Sequence, residues 1–152
     1  MYNMDNIIEE LVEYSGKLFI IREDVNLPMP AFSLIEYDFR NTPRNVIIIN
    51  KKFIPNDISI MAHILAHEYG HHIYNHVSIN PSLLNVEQIE QIECEADFYA
   101  YMFIEKYKYN KDSITRFIIE TTQMSNIFLK KRLNVINGDI IDLYDNIDLI
   151  KF

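Results

Sequence analysis

Residues 66–72 read Ala66-His67-Glu68-Tyr69-Gly70-His71-His72. Within them stands His67-Glu68-x-x-His71. Positions four apart on a helix share one face, one turn above the other. Two imidazoles so placed bind one zinc ion at about 2.0–2.1 Å each. Glu68, next to the first ligand, points toward the water such an ion holds and serves as its general base. Gly70 inside this helix costs roughly 1 kcal/mol relative to Ala. A close approach by another backbone or by a substrate explains it. With 5 His and 12 Glu in 152 residues, the pattern arises by chance about once in 100 such chains. Its context therefore decides the reading.

A catalytic zinc site needs a third protein ligand and one open position. The next helical segment carries Glu93-Cys94-Glu95-Ala96-Asp97. Glu93 and Asp97 share a face, and Glu95 lies roughly 160° from Asp97. Glu93 is the expected third ligand. Asp97 is expected to accept a hydrogen bond from the far nitrogen of a ligand imidazole. The plainer reading is a solvated acidic face, and the histidine pair upstream reverses it. The small residues Gly70, Ala96 and Ala100 let the two helices approach.

Outward from this pair the chain reads as α+β. Residues 4–15 place Ile7, Ile8, Leu11 and Val12 at helical spacing, with Gly16 as the cap. Leu18–Ile21, residues 31–40 and Asn45–Asn50 are strand candidates, the last the most buried. Asn41-Thr42-Pro43 reads as a turn between the latter two. Asn56 or Asp57 starts a helix that runs from Ile58 to about His76. A second runs from Ser82 or Val86 to Tyr107. Asp112 or Ser113 caps a third, to about Gln123. Ser125 caps a fourth, which Asn137-Gly138 ends. A sheet of about three strands thus precedes the metal helix pair. Residues 1–138 are expected to form one domain around that pair and residues 139–152 an acidic tail, where Asp139, Asp142, Asp145 and Asp148 suggest one acidic helical face.

The composition narrows the function classes. Lys plus Arg is 14 against 22 Asp plus Glu, a net charge of −8, which argues against direct nucleic-acid binding. A single Cys, Cys94, excludes an internal disulfide framework and a Cys-based zinc cluster. Flanked by acids, its thiol is expected to be a small buried group and no nucleophile. The first 14 residues hold four acids and no base, unlike a secretory signal. Apolar runs such as Val46–Ile49 are too short to span a bilayer. A cytoplasmic location with no membrane partner is the expectation.

Ala66–His72 followed by Glu93-Cys94-Glu95-Ala96-Asp97-Phe98-Tyr99-Ala100 resembles the ImmA/IrrE metallo-endopeptidase family, a gluzincin-type zinc peptidase group of phages, mobile elements and bacterial stress regulation. Members carry a His-Glu-x-Gly-His helix and then a Glu-x-Glu-Ala-Asn/Asp-x-Phe-Ala stretch. Phe98 and Tyr99 stand here where x and Phe are usual. Val46-Ile47-Ile48-Ile49-Asn50 is similar to the family's Ile-x-Ile-Asn strand. Met124-Ser125, Arg132-Leu133 and Asn137-Gly138 are similar to its last helix. The likeness covers roughly residues 1–138 and implies a minimal gluzincin-like fold. It also implies Zn2+ as cofactor, His67, His71 and Glu93 as its ligands, and Glu68 as the catalytic base.

The function this implies is zinc-dependent hydrolysis of a peptide bond in a cytosolic protein, with a helix-turn-helix repressor as substrate. The competing reading is a non-proteolytic antirepressor or antitoxin-like module with a structural zinc, whose acidic surface mimics DNA toward a basic partner. In gluzincin-type peptidases an edge strand binds substrate as an added strand, and residues 31–40 or 45–50 are candidates for it. Tyr99, Tyr101, His76 and Arg132 are candidates to donate to the oxyanion. His76 falls roughly 140° off the ligand face of a continuous helix. His63, one turn before His67, is expected to be a satisfied buried histidine.

Overall fold

A computed structural model describes residues 2–122 and 125–139. Among these described residues five α-helices and a three-stranded sheet build an α+β fold: α1 Met4–Ser15, β1 Ile20–Glu23, β2 Ala31–Tyr37, β3 Pro43–Ile49, α2 Ile58–Ile73, α3 Val86–Tyr107, α4 Lys111–Thr121 and α5 Asn126–Ile136. The acidic-face expectation for Asp142, Asp145 and Asp148 lies outside the described residues, as does Met124.

Local chemistry sets most boundaries. Asn3 caps α1 by accepting from Asp5 N, and Gly16 closes it at φ 70°, a conformation that suits glycine. In the turn before β3 the Asp38 carboxylate accepts from Arg40 N and Thr42 N at 2.8 and 2.9 Å. Asn41 takes φ 61° there, and Pro43 already belongs to β3. The sheet order is β1-β3-β2. β1 runs parallel to β3 and β2 antiparallel to it, with Ser33 opposite Ile47. β3 is therefore central, and Val46, Ile47 and Ile49 are fully buried. β2 is an edge strand.

Helix α2 starts at Asp57, whose carboxylate accepts from Ser59 N and Ile60 N. Every residue from Ser59 to His71 is buried, as expected of a helix packed on all sides. Ile7 and Leu11 of α1, Phe103 of α3 and Ile114 and Ile118 of α4 share its core. His72 Nε2 donates to Val46 O at 3.0 Å and ties α2 to β3.

Gly70 marks the crossing with α3. A Cβ there would stand 3.1 Å from Ala96 Cα and carbonyl O, and 3.0 Å from Tyr99 Cβ. The close approach is thus made by the neighbouring helix.

Several boundaries differ from expectation: β1 covers Ile20–Glu23 and not Leu18–Ile21, β2 stops at Tyr37 and not at 40, β3 starts at Pro43 and not at Asn45, and two helix ends are moved. Helix α2 does not run on to His76. Its cap is Tyr74, and Asn75 turns left-handed at φ 60° before a 3-10 turn over His76–Ser78. Helix α4 is capped by Asn110, which accepts from Asp112 N, and not by Asp112 or Ser113. Asp112 instead lies in the first turn, where its charge opposes the helix dipole favourably. Ser113 is buried.

Candidate metal centre

His67 and His71 project from adjacent turns of α2, and their Nε2 atoms lie 3.1 Å apart. Glu93 reaches them from α3, with Oε2 at 2.9 Å from His67 Nε2 and Oε1 at 3.5 Å from His71 Nε2. Four tetrahedral ligands at about 2.0–2.1 Å from an ion stand about 3.3 Å from one another. The three separations straddle that value.

The outer hydrogen bonds fix which nitrogens face inward. Carboxylates only accept when ionised. His67 therefore donates from Nδ1 to Asp97 Oδ1 at 2.8 Å and, once its Nε2 proton is given up, turns a lone pair at Nε2 toward the cluster. His76 donates from Nε2 to Glu95 Oε1 at 2.8 Å. Its Nδ1 is then an acceptor for His71 Nδ1, 3.0 Å away, so His71 also presents a lone pair at Nε2. Two imidazole lone pairs and a carboxylate converge. Such an arrangement is repulsive unless a proton or a metal cation joins it, and these groups could hold a metal ion.

Without an ion, a proton on His67 takes the place of the cation, and Nε2–H then donates to Glu93 Oε2 at 2.9 Å. Burial lowers the proton affinity of His67, but its hydrogen bonds to Asp97 and Glu93 outweigh that and lift its pKa to about 10. Burial raises the Glu93 carboxyl, but its contacts with His67 first, and with His71, hold it well below the usual carboxylate range. Burial likewise opposes ionisation of Asp97, and the Arg132 guanidinium and His67 overcome it.

His67, Glu68 and His71 bring one donor atom each within 4.8 Å of one another, so Glu68 stands beside the converging nitrogens. Its Oε2 accepts from Ser33 Oγ, on β2, at 2.6 Å. A second grouping joins His63, His67 and Asp97. There Asp97 is already held by Arg132 Nε at 2.7 Å and by His67. Burial lowers the pKa of His63 to about 3, against the opposing pull of Asp97. This second group is a hydrogen-bonded support to the first, with His63 neutral.

The structure thus gathers His67, His71, Glu93 and Glu68 at one point and puts Asp97 on the back of His67. It also corrects two readings. His76 is brought back by the turn at Asn75 to support His71, so the angle drawn from a continuous helix does not apply. Of the four oxyanion candidates only His76 lines the cleft at the cluster. Arg132 is committed to Asp97. Tyr99 is buried edge-on to Tyr14, and Tyr101 packs beneath Gly138. Both ring nitrogens of His76 are engaged. Cys94 is buried with Phe128 and Val135, and burial followed by the Asp97 charge pushes its thiol up to about 12, so it is no nucleophile.

A cleft of about 810 Å³ opens at the cluster. Its floor and one wall are β2 residues 31–35, with Met29 and Tyr37. The facing wall is Val77, Ile79, Pro81, Leu84, Ile89 and Ile92. Glu68, His71, His76 and Glu93 line its inner end, and no Lys or Arg lines it. Of the two candidate strands only β2 can offer an edge here, because β3 is paired on both sides. Among the described residues no helix is long and apolar enough to cross a membrane.

No family model matches the chain, and no curated protein or solved structure matches it.

Proposed function

We propose that the chain is a zinc-dependent endopeptidase of the ImmA/IrrE class, acting on a cytosolic protein, with a helix-turn-helix repressor as its substrate. The observation that carries this reading is the convergence of His67 Nε2, His71 Nε2 and the Glu93 carboxylate beside Glu68. Two imidazoles and one carboxylate, with room for a fourth position, suit zinc in a catalytic site. The cleft supports the endopeptidase reading. An extended segment laid along the free edge of β2 pairs with its backbone and passes the cluster.

Zinc supplies Lewis-acid polarisation of the scissile carbonyl and acidifies a water molecule. The residues of the chain do the rest. Water oxygen adds to the carbonyl carbon while its proton passes to the Glu68 oxygen that Ser33 does not hold. Glu68 then delivers that proton to the leaving nitrogen as the C–N bond breaks, giving a carboxylic acid and an amine, and the second water proton passes from the acid to the amine to leave a carboxylate and an ammonium. Asp97 and His76 hold the two histidine rings in register. The apolar walls exclude water from a peptide lying between them.

The substrate assignment is tested with a helix-turn-helix repressor encoded beside this chain. Incubation with the zinc-loaded protein is expected to yield two fragments with one defined junction by mass spectrometry. An intact repressor held in a stoichiometric complex would contradict proteolysis and favour the antirepressor reading.

A further inference from the structure

We propose that Arg132 of α5 is a positioning residue for the metal site, acting through Asp97 on His67. The inference rests on the metal reading above, and concerns a residue that hydrogen-bonds to none of the three proposed ligands.

Asp97 is fully buried, and both of its oxygens are engaged. Arg132 Nε donates to Oδ2 at 2.7 Å and Nη2 to Oδ1 at 3.0 Å. This is the paired, two-bond contact that a guanidinium makes and an ammonium cannot. The fork is itself held. Nη1 donates to Thr122 Oγ1 at 3.0 Å, and the guanidinium lies 5.7 Å from the centre of the Phe128 ring.

What the fork decides is the direction of Oδ1. Two imidazoles stand within its reach: His67 Nδ1 at 2.8 Å and His63 Nε2 at 3.7 Å. A carboxylate free to turn about its last bond can serve either. With its plane fixed by Arg132 it serves His67, and that hydrogen bond sets the rotation of the ring whose Nε2 faces Glu93 and His71. The metal site on α2 and α3 is thereby tied to α5. Zinc binding and the docking of α5 become linked, each favouring the other.

The test measures zinc affinity of the full chain by competition with a chromophoric chelator, without any substrate. Arg132→Gln is expected to weaken zinc binding by about 10–100-fold, the range for outer partners of metal ligands. Arg132→Lys should fall between it and the parent. In an Asp97→Asn background, Arg132→Gln should add no more than about twofold, because the route through Asp97 is already cut. A purely structural role would not produce that non-additivity. If the single glutamine variant does not fold, the lysine variant and the Asp97→Asn/Arg132→Gln pair, which leaves no buried charge unpaired, still decide. Parent-like affinity in a folded Arg132 variant, or the full loss persisting in the Asp97→Asn background, overturns the proposal. A parent chain that takes up no zinc overturns the metal reading as well. Zinc uptake with an unresponsive Arg132 overturns this inference alone.

Discussion

Ser33 Oγ, on the edge strand β2, donates to Glu68 Oε2, on α2, across 2.6 Å. The bond joins the strand proposed to pair with substrate to the carboxylate proposed to move the proton. It occupies one oxygen of Glu68 and leaves the other for the attacking water. Ser33→Ala should lower kcat by about tenfold while KM and zinc content hold, since only the base loses its orientation. Ser33→Thr keeps the hydroxyl and should restore most of the rate. Steady-state kinetics on an internally quenched peptide check both. Equal kcat for the alanine variant would contradict the role.

Gly70 sets the spacing of α2 and α3, because a Cβ there would stand 3.0–3.1 Å from Ala96 and Tyr99. Gly70→Ala gains about 1 kcal/mol in helix propensity. It loses about 1–3 kcal/mol to overpacking against backbone. The net expectation is a lower melting temperature. Zinc binding should weaken too, since Gly70 adjoins His71 while Ala96 lies one turn beyond Glu93. A stabilised variant of unchanged affinity would refute this account of the glycine.

The pH dependence has two limbs in metal-free protein. The pKa of His67 is raised to about 10, so its stabilising contribution is full below its ordinary value near 6.5 and is lost as pH rises toward 10. The pKa of His63 is lowered to about 3 by burial first, so its contribution is full above 6.5 and is lost as pH falls. Glu93 and Asp97, held low by their partners, add to the acid-side loss below about 4. Stability should therefore peak near pH 6.5 with chelator present. With zinc in excess the alkaline loss should disappear, because the ion replaces the His67 proton, and the acid loss should steepen. Thermal melts from pH 5 to 9, with and without chelator, read both limbs. A chelated protein that keeps gaining stability through pH 9 would contradict the assignment.

The cleft predicts what is cut. Its walls are Phe32, Leu34, Ile79, Leu84, Ile89 and Ile92, with no basic side chain among its lining. Cleavage sites should carry large apolar residues beside the broken bond, and acidic residues there should be strongly disfavoured. Sequencing the products of a random peptide library checks this. A preference for Asp or Glu at those positions would be inconsistent with the cleft.

Much of this was legible in the chain because it depends on near neighbours. The His67/His71 spacing, the Asp57 and Ser125 caps, Gly16 as a helix stop and the apolar run of β3 all follow from local periodicity and capping. The choice of Glu93 over Glu95 followed from helical angle alone. What escaped depends on closure in three dimensions. His76 was misplaced because the left-handed turn at Asn75 reverses the chain. Ser33 lies 35 residues from Glu68, and nothing in a strand's alternation marks one serine as a partner. Glu95 looked like a residue on the wrong face, and it is the acceptor that orients His76. Arg132, in the basic run Lys130-Lys131-Arg132, shows in the sequence only as part of the family likeness and as an oxyanion candidate. Its target, however, is set by the docking of α5 on α3.

The central claim is that Glu68 performs hydrolysis at a metal held by His67, His71 and Glu93. It is tested most directly by incubating a proteome-derived peptide library with the zinc-loaded chain and with zinc-loaded Glu68→Gln. Metal content is measured on the same samples. One zinc per chain in both proteins, with new peptide termini produced by the parent and none by the variant, is the predicted result. Equal cleavage by the two proteins, or no cleavage by a parent that holds its zinc, would contradict the account.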